Sequence, residues 1–303
     1  MTRPSPGPGP GPERPGGVLP GPLVGTDWLA SRLGAPNLVV IDASWYLPQQ
    51  HRDPRAEFRA AHIPGARFFD LDAASDPDTD LPHMLPSPAH FAEVMASLGV
   101  EGWHDVVAYD GSGVQMSAPR LWWMLRAFGH DRVAVLDGGL GKWLAEGRPV
   151  EAGEGSAPPR GHLTPVRHPA LVKERSDVAA VLTDGSAQVV DARVAPRFHG
   201  DVDEPRAGLR RGHIPGARNL PFSDLVDPES GTYLPPHVLR ARIASAGVDL
   251  RRPVIASCGS GVTACSLALA LQLAGAGEVP VYDGSWSEWG RVEHPGGDPG
   301  GCG

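Results

Sequence analysis

One short segment of the chain combines a strong nucleophile with a backbone that can close around an anion. Cys258 follows an apolar run and precedes a stretch of small apolar residues. Between them lie, in order, Gly259, Ser260, Gly261, Val262 and Thr263. A strand, a tight turn and a helix would place this cysteine at a helix N-terminus, where unpaired N–H groups and the helix dipole favour a thiolate. We therefore predict that Cys258 is a nucleophile and that the turn, through its two glycines, holds a negative charge.

The other cysteines fit a packing role better. Cys265 lies two helical turns further on among Leu and Ala residues, and Cys302 lies in a Gly-rich end. Cys258 also has a plain interpretation as a small residue buried at a strand end, since free cysteines are often core residues. Three cysteines in 303 residues give no disulfide framework and indicate a reducing compartment. No Cys-x-x-Cys pair or helical His-x-x-x-His spacing is present, so we expect no metal and no cofactor.

The nucleophile segment belongs to a duplicated pattern. Three segments recur in the same order, with substitutions: 61–67 as 212–218, 106–114 as 254–262, and 136–139 as 282–285. Each second copy follows the first by roughly 150 residues, which is the size of a domain. Asp110 stands in the first copy where Cys258 stands in the second. We therefore expect two domains of one fold, of which only the second is reactive.

Residues that recur in both copies are expected to serve the fold, since one copy has no nucleophile. His62 recurs as His213, and Asp42 recurs as Asp191. We interpret all four as structural.

Short apolar runs that do not alternate with polar residues predict strands buried on both faces, as in a parallel sheet. These runs are 38–42, 106–109, 133–136, 188–191, 254–257 and 279–282. Helix-like segments lie between them, one opening at Ser87-Pro88 and another covering 235–246. The alternation predicts an α/β class with mostly parallel sheets. Ligands bind such sheets at the carboxyl ends of the strands, which is where Cys258 would lie.

The predicted organisation is a Pro/Gly-rich tail with no part in the fold, a first domain, a linker, a second domain and a short tail. The boundaries are 1–22, 23–146, 147–169, 170–293 and 294–303. With 27 Lys and Arg against 35 Asp and Glu, and no basic run, the composition gives no support for nucleic acid or an anionic membrane as a partner. No apolar stretch approaches the length of a membrane span, and the start lacks the apolar region of a secretory signal. We expect a cytoplasmic protein.

At this point the motifs resemble a known family. Cys-Gly-Ser-Gly-Val-Thr after a Val-rich run, two His-Ile-Pro-Gly-Ala segments and the Tyr-Asp-Gly-Ser-Trp-x-Glu-Trp sequence at 282–289 resemble the tandem rhodanese-domain sulfurtransferases. The resemblance covers about residues 23–292. It implies two rhodanese domains, each a mostly parallel five-stranded sheet flanked by helices. It also implies a persulfide intermediate on Cys258, with Asp110 marking the inactive copy.

The resemblance also bears on the sulfur donor. Family members that act on thiosulfate, a dianion, usually carry basic residues just after the cysteine, whereas Gly259 and Ser260 are neutral. The turn is more similar to that of the branch that takes sulfur from 3-mercaptopyruvate. Arg197 and Arg206 match the positions that hold the carboxylate and ketone of that donor, which a guanidinium suits. The alternative for both is a solvated loop, and Arg193 is expected to be structural.

The family further implies a proton relay that faces the cysteine from the first domain. Asp72 and His83 match its acid and its histidine, and Ser260 would complete the chain. Such a chain moves a proton between substrate and solvent without serine being the nucleophile. The alternative is a histidine on an acidic surface loop. The turn residues Gly259, Gly261, Val262 and Thr263 would line the substrate site.

The expected reaction moves sulfur from 3-mercaptopyruvate, through Cys258, to a thiol, thioredoxin or cyanide. Three alternatives stay open to different degrees. A thiosulfate:cyanide sulfurtransferase shares most motifs, and a persulfide carrier without turnover would need only the cysteine. A cysteine phosphatase needs an arginine six residues after the cysteine, where this chain has Ala264.

Overall fold

The structure, a computed structural model, describes residues 19–155 and 157–292. The first half forms a five-stranded parallel sheet in the order β1-β5-β4-β2-β3. Its strands are β1 (Leu23–Val24), β2 (Leu38–Asp42), β3 (Arg67–Phe68), β4 (Asp105–Tyr109) and β5 (Val133–Leu136). Its helices are α1 (Thr26–Ala30), α2 (Pro54–Ala60), α3 (Pro88–Ser97), α4 (Ala118–Ala127) and α5 (Gly139–Ala145). Short 3₁₀ turns elsewhere in the chain cover Pro48–Gln50, Pro169–Leu171 and Phe222–Leu225.

The second half repeats this arrangement with the strand order β6-β10-β9-β7-β8, again parallel throughout. Its strands are β6 (Val172–Lys173), β7 (Gln188–Asp191), β8 (Arg218–Asn219), β9 (Val254–Ser257) and β10 (Val281–Tyr282). Its helices are α6 (Arg175–Asp184), α7 (Ala195–His199), α8 (Pro236–Ser245), α9 (Val262–Leu273) and α10 (Ser285–Trp289). Each strand has the same place in its sheet as its counterpart, so the predicted α/β fold and its duplication are confirmed.

The central strands and two helices form the core between the halves. Every residue of β4 and β9 is buried, as Val-rich strands covered on both faces must be. Helices α4 and α9 pack against each other, and most of their residues are buried. One apolar cluster runs through both halves. Each half therefore packs the helix that follows its central loop against the other half.

The histidines shared by the two halves have the same structural role. Nδ1 of His62 lies 2.8 Å from the carbonyl oxygen of Phe58, and the imidazole stacks on the Phe58 ring with the ring centroids 4.0 Å apart. Nδ1 of His213 lies 2.8 Å from the carbonyl oxygen of Phe198, and its imidazole stacks on the Phe198 ring with the ring centroids 3.9 Å apart. The interpretation of these histidines as part of the fold is confirmed.

The shared aspartates also act locally. Oδ1 of Asp42 accepts the N–H of Ser44 at 2.9 Å, and Oδ1 of Asp191 accepts the N–H of Arg193 at 2.9 Å. Each carboxylate shapes the chain just after its strand. Burial raises the pKa of Asp42 to about 6, which is the cost of placing a carboxylate in the core.

The N-terminal prediction needs a correction. Residues 19–22 were expected to lie outside the fold, yet Leu19 packs on the core of the first half and the carbonyl of Pro22 accepts the N–H of Val135 at 2.9 Å. These contacts continue the alignment of the short edge strand β1 with β5, which begins two residues before the paired residues Val135 and Leu136. Residues 1–18, the tail 294–303 and Cys302 lie outside the described residues.

The segment 147–169 runs along the surface of the first half. The N–H of Gly161 donates to the carbonyl of Ala96 at 2.9 Å, and the N–H of Val166 donates to that of Phe128 at 3.0 Å. Within the part of the chain that the structure describes, no helix is long and apolar enough to cross a membrane.

Candidate active site

The nucleophile predicted from the sequence lies at the carboxyl end of β9, directly before α9. Cys258 is 2% exposed. Its N–H donates to Oγ of Ser285 at 3.1 Å, and its carbonyl accepts the N–H of Trp286 at 3.0 Å. Gly261 has a φ of 77° and ends the turn, a conformation that glycine adopts without cost. Val262 and Thr263, expected in the turn, instead form the first residues of the helix.

The backbone N–H groups of this turn are available to bind an anion. The carbonyl of Gly259 faces the other way, since it accepts both the N–H of Ser287 at 2.8 Å and its Oγ at 2.7 Å. Among the described residues, no protein acceptor is bonded to the N–H groups of Gly259, Ser260 or Gly261. Together with the N-terminus of a twelve-residue helix, they form a site that favours negative charge on or near the sulfur.

Cys258 opens into a cavity of about 170 Å³ that lies between the two halves. The first half supplies apolar walls from Trp45, Leu47 and Met116. The second half supplies the nucleophile turn and the side chains of Arg193, Arg197, Val194, Pro205, Arg206, Phe222 and Thr263. A cavity of this size fits a molecule of a few heavy atoms, and its positive side chains favour an acid.

Two of the three arginines are held by one buried carboxylate that the sequence analysis did not single out. The side chain of Glu204 is 2% exposed. Its Oε2 accepts a hydrogen bond from Nη2 of Arg197 at 2.6 Å, and its Oε1 accepts one from Nη1 of Arg193 at 2.8 Å. Arg193 also pairs with Asp191 at 2.7 Å. Arg193 is therefore a structural residue, as expected. Arg197 lines the cavity, and one edge of its guanidinium is already bound to Glu204. Only its position before Pro205-Arg206 could have drawn attention to Glu204.

Arg206 differs from the other two arginines. Within the described residues it has no ion pair with a carboxylate. Burial lowers its pKa, and the negative charge of Cys258 acts in the opposite direction. A partly buried guanidinium without a carboxylate partner is a ready site for the carboxylate of a ligand.

The three residues expected to form a relay lie in contact. His83 Nδ1 is 2.9 Å from Oγ of Ser260, and its Nε2 is 3.2 Å from Oδ1 of Asp72. Nε1 of Trp45 donates to the same carboxylate at 3.2 Å. These hydrogen-bonded side chains connect an exposed carboxylate, through a buried imidazole, to a hydroxyl that lies two residues from the nucleophile.

Burial and hydrogen bonding act in opposite directions on the pKa of the relay histidine. Burial lowers the pKa of His83, and the hydrogen bond to Asp72 raises it in part. The hydrogen bond from His83 lowers the pKa of Asp72. The imidazole is therefore neutral near pH 7, able to accept a proton on one nitrogen while the other faces the carboxylate.

Cys265 takes no part in this site. It is buried in α9, its thiol lies 3.2 Å from the carbonyl of Gly261, and burial raises its pKa. A neutral thiol in the core is not a nucleophile. Among the described residues no cluster of His, Cys, Asp and Glu is arranged to hold a metal ion.

Comparison with known proteins matches both halves to one family. The model described as "Rhodanese-like domain" matches residues 25–146 and 174–291. The human protein named 3-mercaptopyruvate sulfurtransferase is 47% identical over 272 residues, which are 88% of this chain and 91% of the human protein. An Arabidopsis thaliana protein named thiosulfate/3-mercaptopyruvate sulfurtransferase 1, mitochondrial, is 43% identical over 288 residues, 88% of this chain and 76% of that protein.

The fold has counterparts among solved structures. The crystal structure of SseA from Escherichia coli, described as a 3-mercaptopyruvate sulfotransferase, superposes with a TM-score of 0.80 at 43% identity. The match covers 88% of this chain and 99% of SseA. It therefore includes both halves.

Proposed function

The chain belongs to the rhodanese family as a protein with two such domains, and from that premise we propose that it transfers sulfur from 3-mercaptopyruvate to a thiol through a persulfide on Cys258. The catalytic domain in this proposal is 170–293, and the domain 23–146 supplies the relay and the apolar wall. No metal or organic cofactor takes part. Relatives with these names support the reaction class, and the chemistry of the cavity supports the choice of donor.

Donor binding uses the arginines of the cavity. The carboxylate of mercaptopyruvate pairs with Arg206, and the ketone oxygen accepts a hydrogen bond from the free edge of Arg197. The apolar wall at Trp45 and Leu47 covers the carbon chain. This places the donor sulfur towards Cys258 at the floor of the cavity, so that the reacting atoms are held together before the reaction.

Sulfur transfer then breaks one bond and forms another. The thiolate of Cys258 attacks the donor sulfur, and the carbon–sulfur electron pair passes to carbon, leaving the enolate of pyruvate. The proton of the donor thiol moves to the enolate carbon by way of Ser260 and His83, so that pyruvate and a persulfide anion result. The turn N–H groups stabilise that anion.

The second half-reaction returns the enzyme to its starting state. An acceptor thiol attacks the outer sulfur, takes it as a persulfide and releases the thiolate of Cys258. Thioredoxin, another thiol or cyanide serves as acceptor in this proposal. A reducing, cytoplasmic location suits a chain whose nucleophile must stay a thiolate.

The observation that carries the donor choice is the contact of His83 with Ser260 at 2.9 Å, beside a neutral turn. A donor with a thiol proton and a carbon leaving group needs a proton carrier near the sulfur. Thiosulfate has no such proton and carries a second charge, for which the turn offers no cationic side chain.

The test compares kcat/KM for mercaptopyruvate and thiosulfate at one ionic strength, since the ratio measures differential transition-state binding. We expect mercaptopyruvate to be preferred by at least tenfold, in order-of-magnitude terms. Mass spectrometry after mixing with mercaptopyruvate should show one added sulfur on Cys258. A preference for thiosulfate would instead support the thiosulfate:cyanide sulfurtransferase, and one release of sulfur without turnover would support a carrier.

A further inference from the structure

A buried cation from the first half reaches both the relay and the nucleophile turn. Arg120 lies in the first turn of α4, and its side chain is fully buried. Nη1 donates to Oδ1 of Asp283 at 2.7 Å and to the carbonyl of Gly261 at 3.3 Å, while Nη2 donates to the carbonyl of His83. A planar guanidinium can serve several acceptors at fixed angles, which an ammonium group cannot do.

The backbone that follows His83 is held by both partners of this ion pair. His83 has a φ of 61°, a left-handed conformation that a non-glycine residue keeps only where its surroundings fix it. Arg120 binds the carbonyl of His83, and Oδ2 of Asp283 accepts the N–H of Leu85 at 2.7 Å. The two partners of the pair therefore restrain the segment on which the relay imidazole depends.

The same pair is linked to the nucleophile. Gly261 is the last residue of the turn, and its carbonyl faces Arg120. Asp283 lies two residues before Ser285, whose Oγ accepts the N–H of Cys258. A shift of the pair would thus change the distance between the imidazole and the turn that it serves.

We propose, on the premise of the function proposed above, that Arg120 is a positioning residue that acts through His83. It holds the strained backbone so that the imidazole spans Asp72 and Ser260. Arg120 does not line the cavity, so its loss should slow the proton step and leave donor binding almost unchanged. The half of the molecule without a nucleophile would in this way set the position of the relay imidazole relative to the nucleophile turn of the other half.

The sharpest variant is Arg120→Lys, because lysine keeps a positive charge opposite Asp283 but cannot also serve both carbonyls. We expect kcat to fall at least about tenfold and KM to change by less than about threefold. Arg126→Lys is the matched control. Arg126 lies on the same helix and also reaches the second half, at Gln272 and Glu278, without contacting the relay. It should keep kcat within about twofold.

A double-mutant cycle separates positioning from a general structural role. His83→Asn removes the relay while asparagine still tolerates the left-handed backbone. If Arg120 acts through His83, adding Arg120→Lys to His83→Asn should cost less than about a further twofold. The proposal would be overturned if the losses in kcat of the two single variants multiply in the double variant. It would also be overturned if kcat of Arg120→Lys lies within about twofold of the wild-type value.

A second variant, and an NMR measurement made without the sulfur donor, complete the test. Arg120→Gln with Asp283→Asn removes both charges together, so neither is left buried and unpaired. The NMR signals of the His83 ring, assigned with His83→Asn, should move in both Arg120 variants and stay in place in Arg126→Lys. Signals that do not move would refute the positioning role. A wild type that does not turn over mercaptopyruvate would contradict the proposed function alone.

Discussion

The two central loops of the molecule carry corresponding anion sites, of which one is filled by a side chain of the protein and the other is not. In the first half, Asp110 turns its carboxylate inward: Oδ1 accepts the N–H of Ser112 at 2.9 Å, and Oδ2 accepts the N–H groups of Ser117 and Ala118 at 2.9 Å. In the second half, Cys258 leaves the corresponding turn without such an acceptor among the described residues. The fold thus keeps a site for negative charge in both copies and leaves it open for a sulfur anion in only one.

The helices that follow the two loops begin at different points. α9 begins at Val262, four residues after Cys258, whereas α4 begins at Ala118, eight residues after Asp110. The difference is about one helical turn. Pro119 stands in the first turn of α4, where it is tolerated because its missing N–H needs no partner. In the first half, the start of the helix therefore binds a side-chain carboxylate of the protein itself, at the N–H groups of Ser117 and Ala118.

The space beside the first loop is also closed. A Cβ added at Gly111 would lie 2.9 Å from Oη of Tyr46, which donates to Glu57 at 2.7 Å. Arg52 packs on the ring of Tyr46 and donates to the carbonyl of Gly111. A Cβ added at Gly259 would come equally close to a side chain, at 2.9 Å from Nη2 of Arg197, but Gly259 and Arg197 both line the cavity of the second half. The half with Asp110 therefore differs from the half with Cys258 in the residue at this position, in its helix start and in the side chains around both.

The largest expected effect separates the nucleophiles. Cys258→Ser should abolish sulfur transfer, with a loss of more than about a thousandfold in kcat, because the serine hydroxyl is not ionised near pH 7. Placing Asp110→Cys in this background should not restore activity, since the first loop lacks the cavity and the early helix start. The measurement is turnover with mercaptopyruvate, followed by mass spectrometry for added sulfur at each position.

Cys265→Ala is the control for this pair, because Cys265 is buried and has a raised pKa. It should keep kcat within about threefold. Sulfur added at position 110 of the double variant, at a rate near that of Cys258 in the wild type, would mean that the loop alone is sufficient. In that case neither the cavity nor the early helix start would decide which half reacts.

Part of this comparison could be predicted from the sequence. The duplication, the parallel sheets and the place of Cys258 follow from repeated motifs and apolar runs, and the contact of His83 with Ser260 followed from the family resemblance. Glu204 and Arg120 could not be predicted, because their roles depend on partners brought together by the packing of the halves. Arg120 lies in a helix rich in Trp and Leu, where nothing in the local sequence marks a polar function.

The next effect concerns the unequal arginines of the cavity. Arg206→Lys should lower kcat/KM for mercaptopyruvate by about ten- to a hundredfold, because the ammonium group of lysine cannot form the two parallel hydrogen bonds that a planar guanidinium makes with a carboxylate. Arg197→Lys should cost less, because much of the Arg197 fork is bound to Glu204. Steady-state kinetics on both variants check the order. A larger loss for Arg197→Lys would show that Arg197, and not Arg206, is the main carboxylate partner.

The anion site of the first half should matter for stability and not for catalysis. Asp110→Ala leaves the N–H groups of Ser117 and Ala118 buried without their acceptor, at a cost of about 1–3 kcal/mol in the free energy of unfolding. The melting temperature should fall by several degrees, while kcat stays within about twofold. Asp184→Ala is the control, since that exposed carboxylate accepts hydrogen bonds from Ser186 at the surface, which water can replace. Equal melting temperatures for the two variants would contradict the buried anion site.

The smallest effect tests the relay that joins the halves. Burial lowers the pKa of His83, so the acid limb of kcat should lie below pH 6.5, the ordinary value for histidine. The hydrogen bond to Asp72 raises that pKa, so Asp72→Asn should move the limb to still lower pH. The shift should be small because Asp72 is exposed and its charge is screened.

The measurement is kcat against pH for wild type, Asp72→Asn and the control Asp70→Asn, whose carboxylate accepts the N–H of Ala73. We expect the plateau of Asp72→Asn to fall by about tenfold or less, because a neutral amide orients the imidazole but stabilises its protonated form less well. Asp70→Asn should leave both plateau and limb in place. A limb that moves to higher pH in Asp72→Asn, or that persists unchanged in His83→Asn, would mean that His83 is not the titrating group. The first half would then contribute walls to the cavity, and no proton carrier.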